Sequence, residues 1–427
     1  MIQLAGSELQ YFFGSGKKST ILRIGAELAE EADRGCLQRA AMRSIRFFPK
    51  IKTRPVLTPD GKVLLEENRE EIPVFSEDEG IKKLGTDETA GYLFRLSCIG
   101  RKIFFSYSHV LTDARGGFSF LTCVLVEYYR EKGIVPEEMK PAVSEEDCSS
   151  PDLMSVPSDF AVAHETLAAG AEVENVFHIP ETMTLEGTAF SKLYAVCIEK
   201  ESLFRRTKET GTTPLTFLLA AMGRSINRLY SLEGNIVAGV PVDLHALYSV
   251  VSQSNFTESI DLIYDETMKN LSFEESAGLL RRQLNEKKQR DVLLAKVAAM
   301  REGYEMIRQI PFNNGKLLEA FSERIRYGNS KMTFLLSNPG NITLPEEISS
   351  QVKDLFLDIP SNGLSCMIVG YGDGIRLLLS QEWMGAELAE EISRTLRENG
   401  AENIVKDCGV MTFDEISLGS FKSASEN

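Results

Sequence analysis

Histidine and tryptophan are scarce in this chain, with four and one respectively among 427 residues. Acid–base chemistry near neutral pH therefore has few candidates, because imidazole is the one side chain that ordinarily titrates there. Membrane-spanning runs are missing too. The longest apolar stretch, Phe118 to Tyr129, is broken by Ser119, Thr122 and Glu127, falls short of the ~18 residues of a span, and reads as a buried helix. The seven cysteines (36, 98, 123, 148, 197, 366 and 408) are odd in number and never in C-x-x-C spacing, which argues against a disulfide framework or a zinc knuckle; no metal is expected. That cysteine usage fits a reducing cytoplasm, the expected compartment, and residues 1–20 carry no unbroken apolar segment behind a basic start. Positive charge is in deficit: 47 Lys and Arg against 62 Asp and Glu give a formal charge of -15. That charge opposes a phosphate backbone, and nucleic acid is not an expected partner.

What is present is an ordinary globular composition, 43% hydrophobic and 26% charged, in a chain long enough for two packed units. Helical spacing over Leu22 to Phe47 predicts an early helix ending before Pro49. Tyr92 to Ile99 and Lys102 to Ser108, joined by Gly100-Arg101, predict an antiparallel hairpin, and a helix follows from Gly116-Gly117 to Lys132. Prolines 136, 141, 151, 157 and 180, with acidic clusters among them, mark Val135 to Gly187 as a connector. Beyond it come a strand at Ala189 to Glu199, a helix at Leu215 to Tyr230 opened by Thr213-Pro214, and a strand at Ile236 to Val242. Helices are expected over Phe273 to Arg301, Lys316 to Tyr327 and Ala386 to Glu398. Strands are expected at Met332 to Leu336, Val352 to Leu357, Cys366 to Tyr371 and Ile375 to Gln381. No fixed-period repeat is visible. The reading is an α/β (α+β) protein of two lobes sharing a cleft, residues 1–185 with the connector and residues 186–427.

His164 and His178 fall in the connector, where a solvated histidine is the ordinary state. His109 ends a strand within Ser108-His109-Val110-Leu111-Thr112-Asp113-Ala114, on the face it shares with Phe105 and Tyr107. A neutral imidazole there can take a proton from an acceptor hydroxyl, amine or thiol attacking a carbonyl. Asp113 can hold the ring's tautomer or fix the loop, and Thr112 and Asp113 are both good helix caps. On spacing alone, a packed histidine beside a cap accounts for the same residues. Gly14 to Thr20 fails the phosphate-loop spacing, with Tyr11 where a glycine is needed and Lys18 where a hydroxyl is needed, and reads as an exposed turn. Arg281, Arg282, Lys287, Lys288, Arg290, Lys296 and Arg301 are the one basic concentration, suited either to phosphates or to a solvated helix face. Asp243 and His245 are open between substrate contact and capping of a strand end.

The Ser108 to Ala114 segment resembles the H-H-x-x-x-D-G signature of the CoA-dependent acyltransferase superfamily, which includes chloramphenicol acetyltransferase, peptide-synthetase condensation domains and alcohol acetyltransferases. Leu37-Gln38-Arg39-Ala40-Ala41 running into Arg46-Phe47-Phe48-Pro49, Gly239-Val240-Pro241-Val242-Asp243-Leu244, Ser254-Asn255-Phe256 and Leu336-Ser337-Asn338-Pro339-Gly340-Asn341 look like further landmarks of its bacterial alcohol-acetyltransferase-like branch. The resemblance spans roughly residues 20 to 400 apart from the connector. It implies two chloramphenicol-acetyltransferase-like lobes with a channel between them, His109 as general base and Asp113 as a loop-shaping residue. It also implies acyl-CoA as co-substrate and a small alcohol or amine as acceptor. Ser337 and Asn338 are candidate oxyanion donors; ordinary turn chemistry is their other reading. Ser108 and Ala114 replace the signature's first histidine and its glycine, and His245 stands where an arginine commonly follows P-V-D-L. The D-F-G-W-G sequence of condensation domains is absent. The altered Ser108 and Ala114 keep a second expectation open, a catalytically silent binder of a carrier arm or small ligand.

Overall fold

The computed structural model describes the chain apart from residues 5, 14–18, 136–172, 181–189, 231–232, 246–253, 315–316, 318–330, 362, 417–420 and 424–427. His164, the turn at Gly14 to Lys18, most of the expected connector and all but Leu317 of the helix expected at Lys316 to Tyr327 lie outside the described residues.

The first departure from the sequence reading comes at once. Leu22 to Leu28 is not helical: Ile21–Leu28 is strand β1, and the helix, α1, spans only Arg34–Ser44. β1 is paired on both edges and buried on both faces, so it carries no polar/apolar alternation, and a short apolar run of that kind satisfies either period. α1 starts where Asp33 caps it, its carboxylate accepting from the Cys36 amide at 2.7 Å. Beyond the paired strands Thr53–Leu57 and Val63–Glu67 of a smaller sheet come β2 (Val74–Ser76), β3 (Phe94–Ile99), β4 (Lys102–Ser108) and α2 (Ala114–Glu131), with β3 and β4 forming the expected hairpin.

The later elements are β5 (Ser191–Glu199), α3 (Lys200–Thr210), α4 (Pro214–Tyr230), β6 (Ile236–Asp243) and β7 (Thr257–Tyr264). Then follow α5 (Phe273–Lys287), α6 (Arg290–Arg308), β8 (Phe334–Asn341), β9 (Val352–Asp358), β10 (Leu364–Tyr371), β11 (Gly374–Gln381), α7 (Glu387–Glu398) and β12 (Asn403–Met411). The single helix expected over Phe273 to Arg301 is thus two. Gln289, with extended backbone, breaks it and begins α6.

The elements form a mixed α/β fold built on two main sheets. One has the order β9-β1-β4-β3-β2; the other has the order β7-β6-β8-β10-β11-β5-β12 and mixes parallel with antiparallel pairs. β9, from late in the chain, pairs antiparallel with β1 and so completes the first sheet. α1 packs on α2, and α4 packs on α5 and α7. The larger sheet is buried on both sides. On β10, Met367 and Val369 enter the first core while Cys366 and Ile368 enter the second, one set per face as strand pleating requires. α6 also joins the two cores, with Leu293 and Val297 in the second and Ile307 in the first.

β7 is an edge strand, and α5 and α6 cover its open side. The Gln283 amide donates to the Ile263 carbonyl and accepts from the Ile263 amide, both at 2.8 Å. Lys287 and Lys296 donate to the carbonyls of Asp261 and Ser259. Two members of the basic concentration are therefore committed to an otherwise bare strand edge, while Arg282 and Lys288 face solvent.

Candidate active site

His109 is the first residue past β4, and its amide still reaches the Thr20 carbonyl at 3.2 Å. On the preceding strand the Phe105 and Tyr107 rings stack on each other. After it the chain turns and Asp113 caps α2, Oδ1 accepting from the Gly116 amide at 2.9 Å. The Tyr107 hydroxyl donates to the Asp113 carbonyl at 3.0 Å, tying strand end to helix start. Gly117 is what lets α2 sit this close. A Cβ there would lie 2.4 Å from the Tyr107 hydroxyl and 2.7 Å from Ile24 Cδ1. Ala114, which stands where the signature has glycine, is not among the positive-φ residues, so its Cβ brings no backbone strain there. Ser108 is fully buried in the strand, its hydroxyl accepting from the Val110 amide at 3.3 Å.

The His109 ring is half-buried. Tyr11, from the short helix Gln10–Phe13, stacks on it with centroids 4.3 Å apart and planes 12° from parallel. Asn255, from the connection ahead of β7, places its side-chain amide nitrogen 3.0 Å from Nδ1. Asn255 also hydrogen-bonds the Tyr11 hydroxyl and accepts from the Thr257 hydroxyl at 3.2 Å. Lys50, four residues beyond Arg46, forms a buried ion pair with Glu8 and reaches the Ser254 hydroxyl at 3.4 Å. Elements of both sheets thus meet around one imidazole.

Burial sets the electrostatics. Desolvation pulls the His109 pKa from 6.5 down to about 4, against the carbonyls of His109 and Thr112, which favour the cation; nearby Lys50 lowers it further. The ring is therefore neutral at pH 7. Burial raises the Tyr11 pKa to about 12, keeping that hydroxyl protonated, and raises the Asp113 carboxyl above its usual range.

A second polar group lies beside this one. Asp243, ending β6, accepts from His245 Nδ1 at 2.6 Å and pairs with Arg115 at 2.8 Å. The His245 hydrogen bond lowers the Asp243 pKa, and His245 Nε2 is buried without a partner among the described residues. Ser337 and Asn338 lie on β8 at a register shift against β10. The Asn338 side-chain Oδ1 accepts from the Gly340 amide at 3.1 Å, and among the described residues neither side chain hydrogen-bonds to the His109 group. His178 is exposed. A surface cavity of about 260 Å³ lined by Arg54, Glu70, Asp87 and Lys422 shares no residue with the surroundings of His109. Among the described residues no group of His, Cys, Asp and Glu is arranged to hold a metal.

The backbone superposes over nearly its full length on solved two-lobed proteins. Polyketide synthase associated protein 5 from Mycobacterium tuberculosis matches with TM-score 0.61 and 14% identity, covering 92% of this chain and 96% of that one. The starter condensation domain of rhizomide synthetase RzmA, a mutant solved with C8-CoA and Leu-SNAC, matches with TM-score 0.61 and 10% identity over 93% of each chain. TRI101 of F. sporotrichioides, complexed with coenzyme A and T-2, matches with TM-score 0.60 and 12% identity over 94% of this chain and 99% of that one. The chain has the fold of the condensation domains and CoA-dependent acyltransferases. No protein-family model and no curated protein matches it in sequence.

Sequence reasoning singled out His109 and Asp113 from their motif but missed Tyr11, which no pattern flags. It took Asn255 only as part of a landmark and did not name Lys50. The one available signal for Asn255 was an amide followed by aromatic Phe256 at the start of a strand.

Proposed function

We propose that the chain is an acyltransferase that moves an acetyl or other short acyl group from acyl-CoA to a hydroxyl or amine acceptor. His109 is the general base. The supporting observation is the neutral, half-buried His109 ring at the junction of the two sheets, in a fold whose neighbours include complexes with CoA and acyl-CoA. An unprotonated ring nitrogen takes the acceptor's proton as its oxygen or nitrogen attacks the thioester carbonyl carbon. As the C–S bond breaks, the imidazolium returns the proton to the departing thiolate, so atoms and charge balance without a covalent enzyme intermediate. Ser337 and Asn338 are proposed as donors to the transient oxyanion, and Asp113 as the residue that shapes the turn through its cap on α2. Arg282 and Lys288 are exposed cations of α5 and its C-terminal cap, suited to the phosphates of CoA. Residues 1–185 and 186–427 are proposed as the two lobes.

One observation favours the catalytically silent reading: the Asn255 amide nitrogen faces His109 Nδ1, which leaves the proton on Nε2. Incubation with acetyl-CoA and a panel of alcohols and amines, following free thiol, separates the two. Acceptor-dependent thiol release is expected from the wild type and a fall of at least ~100-fold in His109→Ala. Release undiminished in the variant removes His109 from the mechanism; CoA binding without release for any acceptor establishes the silent binder.

A further inference from the structure

Asn255 is 6% exposed, and its side chain is engaged on every side. Its amide nitrogen donates to His109 Nδ1 at 3.0 Å, its hydrogen-bonding also takes in the Tyr11 hydroxyl, and its oxygen accepts from Thr257 at 3.2 Å. A ring nitrogen that accepts is unprotonated, so in this arrangement the neutral imidazole carries its proton on Nε2 and offers no lone pair there. A half-turn of the same amide reverses the situation. The oxygen would then accept from Nδ1–H and free the Nε2 lone pair. The two remaining partners tolerate either state, because the Tyr11 and Thr257 hydroxyls each donate or accept. No other described side chain is hydrogen-bonded to the ring, and the backbone carbonyls of His109 and Thr112, which accept from a protonated ring nitrogen, are its remaining polar neighbours.

We propose that Asn255 is the positioning residue that sets the His109 tautomer: it holds the resting ring protonated on Nε2 and arms Nε2 as a base when its amide turns to present oxygen. The consequence for acyl transfer rests on the general-base reading; the tautomer itself does not.

Nitrogen-15 NMR of the full chain tests it at pH 7, with the His109 signals identified by their loss in His109→Ala. In the wild type, Nδ1 is expected to resonate as an unprotonated acceptor, with a coupling across the hydrogen bond to the Asn255 side-chain nitrogen. In Asn255→Asp the partner can only accept, so the proton is expected on Nδ1, and the ring's titration midpoint is expected to rise by at least ~1 pH unit. A wild-type ring protonated on Nδ1 overturns the proposal, as does a folded Asn255→Asp ring still protonated on Nε2. Should that variant not fold, the wild-type measurement decides alone. If the tautomers behave as stated and no acceptor ever releases thiol, the acyltransferase reading fails while the control of the tautomer stands.

Discussion

Replacing His109 by glutamine removes a titrating ring while keeping a side chain able to meet Asn255, and the structure fixes how stability should respond. The folded pKa is about 4 against 6.5 for an exposed ring, with burial as the main cause. The sign follows from proton uptake. Between those values the unfolded chain binds a proton that the folded chain refuses, so stability is intact above pH 6.5 and falls as the pH drops toward about 4. Linkage puts the loss at about 2 kcal/mol by about pH 5, approaching about 3 kcal/mol below the folded midpoint. Urea unfolding of wild type and His109→Gln, followed by circular dichroism at about pH 7.5 and about pH 5, isolates this ring, because every other group titrates in both proteins. The wild type should lose about 2 kcal/mol more than the variant over that interval. Equal losses would mean that the ring takes up its proton in the folded state as easily as in water. The desolvated, neutral base would then have no physical footing.

Gly117→Ala drives a methyl into the buried Tyr107 hydroxyl and Ile24; overpacking of this kind costs about 1–3 kcal/mol in urea unfolding. Tyr107→Phe in the same background should recover part of the loss, because the nearest colliding atom is that hydroxyl oxygen. Gln283→Leu uncovers the β7 edge at Ile263 and should destabilise by about 1–2 kcal/mol. It should also speed hydrogen exchange of the Ile263 amide and raise the tendency to associate; unchanged exchange at that amide would show that the edge is protected by something else.

Much of the fold was legible where elements carry local punctuation. Gly100-Arg101 gave the β3–β4 hairpin, Thr213-Pro214 opened α4, and Gly372-Asp373-Gly374 joined β10 to β11. The errors have separate causes. β1 lies inside a sheet with both faces covered, so its apolar run lacks the alternation that identifies a strand, and it merged with the true helix at Arg34. The α5–α6 break at Gln289 needs no glycine or proline, only one extended residue, and so left no mark in the sequence.

The site shows the same limit more sharply. A signature of seven residues located His109, because strand end, turn and cap are contiguous in the chain. What gives that ring its character comes from elsewhere: Tyr11 stacks on it from the N-terminal segment, and Asn255 meets it from the connection ahead of β7. Neither the depressed pKa nor the tautomer can be read from the motif, since the first depends on who covers the ring and the second on which end of a distant amide faces it. The basic concentration makes the converse point. Its charge suggested a phosphate site, yet Lys287 and Lys296 are spent on backbone carbonyls of a sheet edge. Residue type narrowed the chemistry in both cases, and only the partner decided which chemistry the residue performs.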